Sequence, residues 1–267
     1  MAASRRRRRT VLSLTATEVS KMLRHCSTTS VRRSPADTLP TMIIKQQQRG
    51  TGMKLPTAEQ LDAFRRLGAA TVHEAQGRTG ALDSAITPLD PTSLLAGTAL
   101  TVDCRPGDNL AIQYAVTIAQ PGDVLVVDAK GYAEGGAWGD LLTLAAQQAG
   151  VAGLVIDGSV RDSRSIIDMG FPVFSRAISI KGTDKNQPGA VGGPIVCGGV
   201  AVRAGDLIVG DADGVVAVPA QLVQSTLELA AERAEAEERT RNAILGGRTL
   251  VDVLGLNERI RALGYVS

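Results

Sequence analysis

The sequence predicts a single α/β domain with a parallel-strand βαβαβ region, an appended β-rich half and a disordered basic N-terminal extension. Three observations carry this. Between residues 123 and 175, short β-branched apolar runs alternate with helical patterns, as expected for parallel strands buried on both faces. Aromatic residues make up only 3% of the 267, so the core must be built from Val, Leu, Ile and Ala. Charge is divided unevenly: residues 1–53 carry 11 Lys and Arg against 2 Asp and Glu, and the rest carry 18 against 25.

Residues 1–52 open on Arg5–Arg9 and continue rich in Ser, Thr and Arg without apolar periodicity. That composition cannot pack a core. It fits an organelle-targeting segment, a phosphate-binding tail, or a stretch upstream of a chain that starts at Met53. The globular domain is expected over 53–267. Thr57 and Gln60 have capping-box spacing, predicting a helix over 57–67 that Gly68 ends. TVHEAQ (71–76) predicts a second short helical piece, and LAGTALTVDC (95–104) a strand. Asp108 is placed to cap a helix that runs to Gln120. DVLVVDA (123–129), AGLVIDG (152–158) and FPVFS (171–175) read as buried strands. The stretches 138–150 and 161–170 between them read as helices, giving right-handed crossovers. Residues 194–219 predict tightly turned β structure, and two helices follow, over 221–241 and 249–263.

Composition also excludes functions. Three cysteines without a CxxC pair argue against a disulfide framework or zinc cluster and point to a reducing, cytoplasmic setting. With only His25 and His73, imidazole metal sites and most Ser-His-Asp arrangements are ruled out. The acidic body and scarce aromatics speak against nucleic acid as a partner. No apolar run reaches the ~18–20 residues a membrane span needs.

The chemistry is expected where two neighbouring strands end, the ligand-binding edge of open α/β sheets. A glycine-rich loop from Gly131 to Gly139 opens one helix, and Gly158–Asp162 opens the next. Backbone amides at a helix start favour a carboxylate or phosphate. Asp140 and, after twenty residues, Arg161-Asp162 then put two carboxylates and one guanidinium on that edge. Carboxylates without imidazole or thiolate suit a hard cation such as Mg²⁺ or Mn²⁺. Arg161 offers a planar fork for a carboxylate or enolate oxygen. The resulting site suits a small polyanionic oxo acid. Lys130 offers a rival, an imine-forming lysine, although a loop beside Gly131 suits a surface lysine better. His73 and Glu74 read as a helix-surface pair, and Cys104 and Cys197 as small buried residues.

The Asp140…Arg161-Asp162 spacing, GFPVFSR (170–176) and GDADGVVAVP (210–219) resemble the class II 4-hydroxy-4-methyl-2-oxoglutarate aldolases. That family includes the regulator of ribonuclease activity A, a protein inhibitor of a ribonuclease. TVHEAQGRTG (71–80) is similar to the branch cleaving 4-carboxy-4-hydroxy-2-oxoadipate. The resemblance covers most of 55–240. It implies Asp162 as the direct metal ligand and Arg161 as the residue that binds substrate and stabilises a pyruvate enolate. It also implies that the amides of Gly139, Asp140, Leu141 and Leu142 cradle the pyruvyl carboxylate, with Asp140 bearing on the cation's water. It further implies a homotrimer or hexamer in which a neighbouring subunit lends an acid, sought here among Glu235, Glu237 and Glu238. Ser165 stands where many members carry an acidic residue. The expected reaction is metal-dependent retro-aldol cleavage to pyruvate plus pyruvate or oxaloacetate, with oxaloacetate decarboxylation as a side activity. Arg78 is expected to help select the more highly charged substrate. The alternative is a non-catalytic inhibitor of a ribonuclease.

Overall fold

Thr57 accepts a hydrogen bond from the Gln60 amide at 3.2 Å, and Gln60 Oε1 accepts one from the Thr57 amide at 2.9 Å. This reciprocal box starts α1 (Ala58–Ala75) in a computed structural model that describes residues 55–265. The basic segment 1–52 lies outside the described residues. The two predicted helical pieces join across a kink at Gly68, where φ is 78° and ψ 160°. Asp211 Oδ2 accepts from the Ala69 amide at 2.7 Å, and a Cβ at position 68 would come within 2.9 Å of that oxygen. Only glycine adopts this backbone without strain, so Gly68→Ala should cost about 1–3 kcal/mol. The check is a lowered denaturant midpoint at unchanged slope.

The chain then lays down β1 (Thr87–Pro88), β2 (Leu95–Asp103), α2 (Leu110–Ile118), β3 (Asp123–Trp138) and α3 (Asp140–Gln148). β4 (Gly153–Val160), α4 (Ser163–Asp168) and β5 (Val173–Ile178) complete the parallel region. β2 to β5 lie side by side in chain order, every pair parallel. β1 adds to β5 antiparallel, and on the other flank β9 (Leu207–Asp211) and β10 (Gly214–Val218) extend the sheet antiparallel from β2. β6 (Ala190–Val191) pairs with the end of β2, and β7 (Ile195–Cys197) with β8 (Val200–Val202) forms a separate hairpin. The C-terminal helices are α5 (Val223–Leu245), α6 (Leu250–Val253) and α7 (Asn257–Ala262).

The continuous apolar runs reflect burial on both faces of the sheet. Leu100, Leu125, Val127, Leu154 and Ile156 pack against Ile112, Ala115, Ala146 and Ile166 from the three crossover helices. Their alternating neighbours Val124, Val126, Val155 and Phe174 pack with Ile195, Cys197 and Val202 of the small hairpin. Phe64 and Val72 of α1 cover Leu207, Val209 and Val216 at the antiparallel end. Among the described residues no helix is long and apolar enough to cross a membrane.

Three local expectations need correction. The glycine-rich stretch 131–139 is not a loop; β3 runs through it to Trp138, its register against β4 shifting after Asp128, Tyr132 and Gly136. Lys130 and Gly131 both have left-handed φ, 59° and 67°, which bulges the strand and lets it resume. β4 likewise runs on to Val160. The helix after residue 108 starts from Asn109 as its cap residue. Asp108 does accept from the Leu110 amide, at 2.8 Å, but its other oxygen is turned to a distant segment.

Candidate active site

Asp103 at the end of β2, Asp128 within β3 and Asp157 within β4 stand in register. Beyond this acidic row β3 and β4 continue to the site. Trp138 closes β3, fully buried, stacked on Phe171 at 6.1 Å and donating from Nε1 to Thr143 Oγ1 at 2.7 Å. That packing fixes the turn at Gly139, the residue that caps α3.

The glycines here serve close approach. A Cβ on Gly136 would lie 2.9 Å from the Arg161 Cβ, and one on Gly139 would lie 2.5 Å from Asp162 Oδ2. Their absence lets the end of β4 lie against the end of β3, where the Arg161 amide donates to the Trp138 carbonyl at 2.8 Å. Asp162 follows in the left-handed region, φ 55°. Its Oδ2 stands 3.4 Å from both Arg161 Nε and the Asp140 amide, distances too long for strong hydrogen bonds. Among the described residues nothing donates more closely to this carboxylate, so it keeps lone pairs for a ligand. Asp140 Oδ1 accepts from the Leu141 amide at 2.7 Å. The first intrahelical bond of α3 runs from the Thr143 amide to the Gly139 carbonyl at 3.0 Å. The amides before Thr143 therefore lie ahead of the helical ladder, at the positive end of the helix dipole.

A cleft of about 420 Å³ gathers these groups: Gly139, Asp140, Leu141, Leu142 and Arg161 all line it. Asp162 stands behind, against Gly139 and Arg161 rather than on the lining. Sequence reasoning missed Asn109 and Gln113 on one part of the wall, and Thr183 and Lys185 on another. Asn109 donates from Nδ2 to the Ala137 carbonyl at 2.9 Å and accepts from Gln113 Nε2 at 3.1 Å. An Asn and a Gln near a helix start carry no pattern that would mark them.

Other candidates lie elsewhere. Lys130 Nζ is 2.7 Å from Asp103 and 2.5 Å from Asp128, and lines a separate cavity. Burial would lower its pKa, but hydrogen bonds to the two carboxylates outweigh that and hold the ammonium above its ordinary value. A cation so held is a poor imine-forming nucleophile. Arg78, expected to select substrate, instead pairs with Glu74 at 3.1 Å and does not line the cleft. Glu74 also faces Arg233 at 3.6 Å, and His73 Nδ1 lies 3.0 Å from the Thr79 carbonyl. Glu235, Glu237 and Glu238 pair with Arg239, Arg233 and Arg241 along α5, away from this chain's own cleft. Ser165 sits on α4, off the lining. Cys104 and Cys197 are buried, which pushes both thiols up to about 12 and keeps them protonated.

A family model described as RraA-like, Aldolase/RraA, matches residues 57–217. The chain belongs to the RraA-like family. A relative from Halalkalibacterium halodurans, named "Putative 4-hydroxy-4-methyl-2-oxoglutarate aldolase", is 39% identical over 68% of this chain and 86% of its own length. Among solved structures, an uncharacterized protein from Pseudomonas syringae pv. tomato superposes with a TM-score of 0.67 at 31% identity, covering 75% of this chain and 98% of that one. Streptomyces coelicolor RraAS2, described as an unusual member of the RNase ES inhibitor RraA protein family, gives 0.63 at 31% identity, over 70% and 99%. The RraA-like match takes in β1–β9, the cleft and most of β10, and it stops short of α5–α7.

Proposed function

We propose that this RraA-like chain is a carbon–carbon lyase cleaving 4-hydroxy-4-methyl-2-oxoglutarate or 4-carboxy-4-hydroxy-2-oxoadipate to pyruvate and a second oxo acid. One observation carries the reading: a guanidinium, a helix N-terminus and a carboxylate converge on one cleft where β3 and β4 end.

The substrate's C1 carboxylate sits on the amides at the start of α3, where partial positive charge collects. Arg161 turns its fork to the C2 oxygen. As the C3–C4 bond breaks, its electron pair passes into C3 and is delocalised onto that oxygen as an enolate, so Arg161 gains strength in the transition state. Asp140, the one carboxylate on the cleft lining among the described residues, takes up the proton lost by the C4 hydroxyl. Returning a proton to C3 completes pyruvate. Oxaloacetate decarboxylation passes through the same enolate and is the expected side activity.

The donor set fits a hard divalent cation. Among the described residues no three His, Cys, Asp or Glu side chains form a ready-made cage. The loosely engaged Asp162 carboxylate over a glycine at 139 suits an ion that keeps its waters and draws further ligands from substrate. Asp162, with Asp140 alongside, would hold Mg²⁺ or Mn²⁺. When bound, the ion supplies Lewis-acid polarisation of the C2 carbonyl. Leu141, 74% exposed on the cleft lining, and Ile178, 58% exposed at the end of β5, support a homo-oligomer, a trimer or hexamer, that covers them.

Pyruvate release from each acid tests the proposal. Steady turnover of at least one supports it. No release from either, by folded protein with Mg²⁺ present, overturns it. The likeness to Streptomyces RraAS2 favours a second reading, a ribonuclease-binding protein without activity. Inhibition of a ribonuclease with no pyruvate released would select that one.

A further inference from the structure

Three carboxylates cross the sheet in one row, Asp103, Asp128 and Asp157, and unbroken pairing ends there. The β2–β3 ladder stops where Asp103 meets Asp128. Between β3 and β4 the next pair is Tyr132 with Gly158, so Ala129, Lys130 and Gly131 are taken up in a bulge of β3 while β4 makes one ordinary step. Beyond this line lies the cleft lining, Gly136 to Asp140 along β3 and Arg161 after β4. Whatever sets the bulge therefore sets how these groups meet.

Lys130 sits at the centre of the bulge. Its φ of 59° is one that glycine adopts freely and lysine does not. The side chain gives the reason for a lysine here. The Lys130 amide donates to Asp128 Oδ1 at 2.9 Å, and its ammonium lies 2.5 Å from Asp128 Oδ2 and 2.7 Å from Asp103 Oδ1. One residue thus folds back on β3 and ties it to β2. Asp128 is 6% exposed, and among the described residues neither Asp128 nor Asp103 pairs with another cation. Without the ammonium, a buried carboxylate keeps a single amide and has a second carboxylate close by. The bulge must then open to bring it water.

We infer that Lys130 is a positioning residue of the cleft: its ammonium, held between Asp103 and Asp128, fixes the bulge and so the register in which the outer half of β3 meets β4, placing Asp140 relative to Arg161. Its effect on the register is a property of the fold, whereas its effect on turnover rests on the proposed lyase reaction.

Lys130→Gly separates side chain from backbone, because glycine keeps the left-handed turn and removes the cation. Amide hydrogen exchange of the full chain should accelerate at Gly136 and Arg161, whose amides bond to the Lys181 and Trp138 carbonyls, at least about tenfold more than at Leu125 and Val127 in the inner half of β3. In pyruvate release, kcat should fall about tenfold or more with KM within about threefold, as expected when reacting groups are misplaced. Lys130→Arg keeps the charge, has room in a cavity of about 330 Å³ beside it, and should restore both readouts. Should Lys130→Gly fail to fold, Asp103→Asn, at a half-exposed side chain, loosens the tie to β2 and keeps the Asp128 pair. It should show the same selective exchange, about threefold in size. Equal acceleration at inner and outer amides, none at all, or no recovery by Lys130→Arg overturns the positioning role, and so does selective exchange with unchanged kcat. Selective exchange in a protein whose wild type releases no pyruvate supports the register role and overturns the lyase reading alone.

Discussion

Arg161→Ala should lower turnover at saturating metal and substrate by at least about 10²–10³, the loss typical when one preorganised donor to a developing oxyanion is removed. The expectation follows from position. Among the described residues Arg161 is the one guanidinium on the cleft lining, and its backbone amide holds it to β3. An interaction that strengthens as the enolate forms appears in kcat and not only in KM. Arg161→Lys should recover only part of the loss, because a point charge cannot reproduce two parallel hydrogen bonds. Oxaloacetate decarboxylation should fall in step with aldol cleavage, since the two share the enolate. Near-normal turnover of a folded Arg161→Ala protein would reduce Arg161 to a structural partner of Asp162.

Chelation is the second large effect. Treatment with excess chelator should abolish pyruvate release, and added Mg²⁺ or Mn²⁺ should restore it. Asp162→Asn should raise the ion concentration needed for half-maximal rate far more than it shifts the melting temperature, since among the described residues this carboxylate has no close donor to lose. Borohydride added during turnover should leave every lysine unmodified, Lys130 included. Full activity in chelator, or a trapped pyruvyl-lysine, would discard the metal-dependent mechanism.

How far the sequence could be read followed from what each segment has to satisfy. Strands buried on both faces must be apolar at every position, so DVLVVDA and AGLVIDG declared themselves, and the helices between them followed by periodicity. The outer half of β3 obeys a different constraint. Its residues 132–134 are exposed, and Gly136 with Gly139 just past its end admits Arg161 and Asp162, so apolar patterning vanished and the stretch read as a loop. Asp140, Arg161 and Asp162 were legible through residue type and spacing along two adjacent strands. Lys185 was not, because its place depends on amide contacts to Asp108 from residues 78 and 79 positions further along the chain. Arg78 is placed off this chain's cleft lining for a related reason: its partner Glu74, one helical turn earlier, engages it locally.

Trp138 is the only tryptophan in the sequence, and it stands fully buried immediately before Gly139 and Asp140. The protein thus carries a single indole at the junction of β3 and α3, its N–H engaged by Thr143 and its ring stacked on Phe171. Excited at wavelengths that tyrosine does not absorb, the whole chain's emission reports on one spot. A shielded indole emits to the blue, and a change at the neighbouring cleft or loss of the fold should move that emission. Occupancy by the proposed metal and oxo acid should therefore be readable optically, without label or turnover, in the wild type and in every variant that keeps this residue.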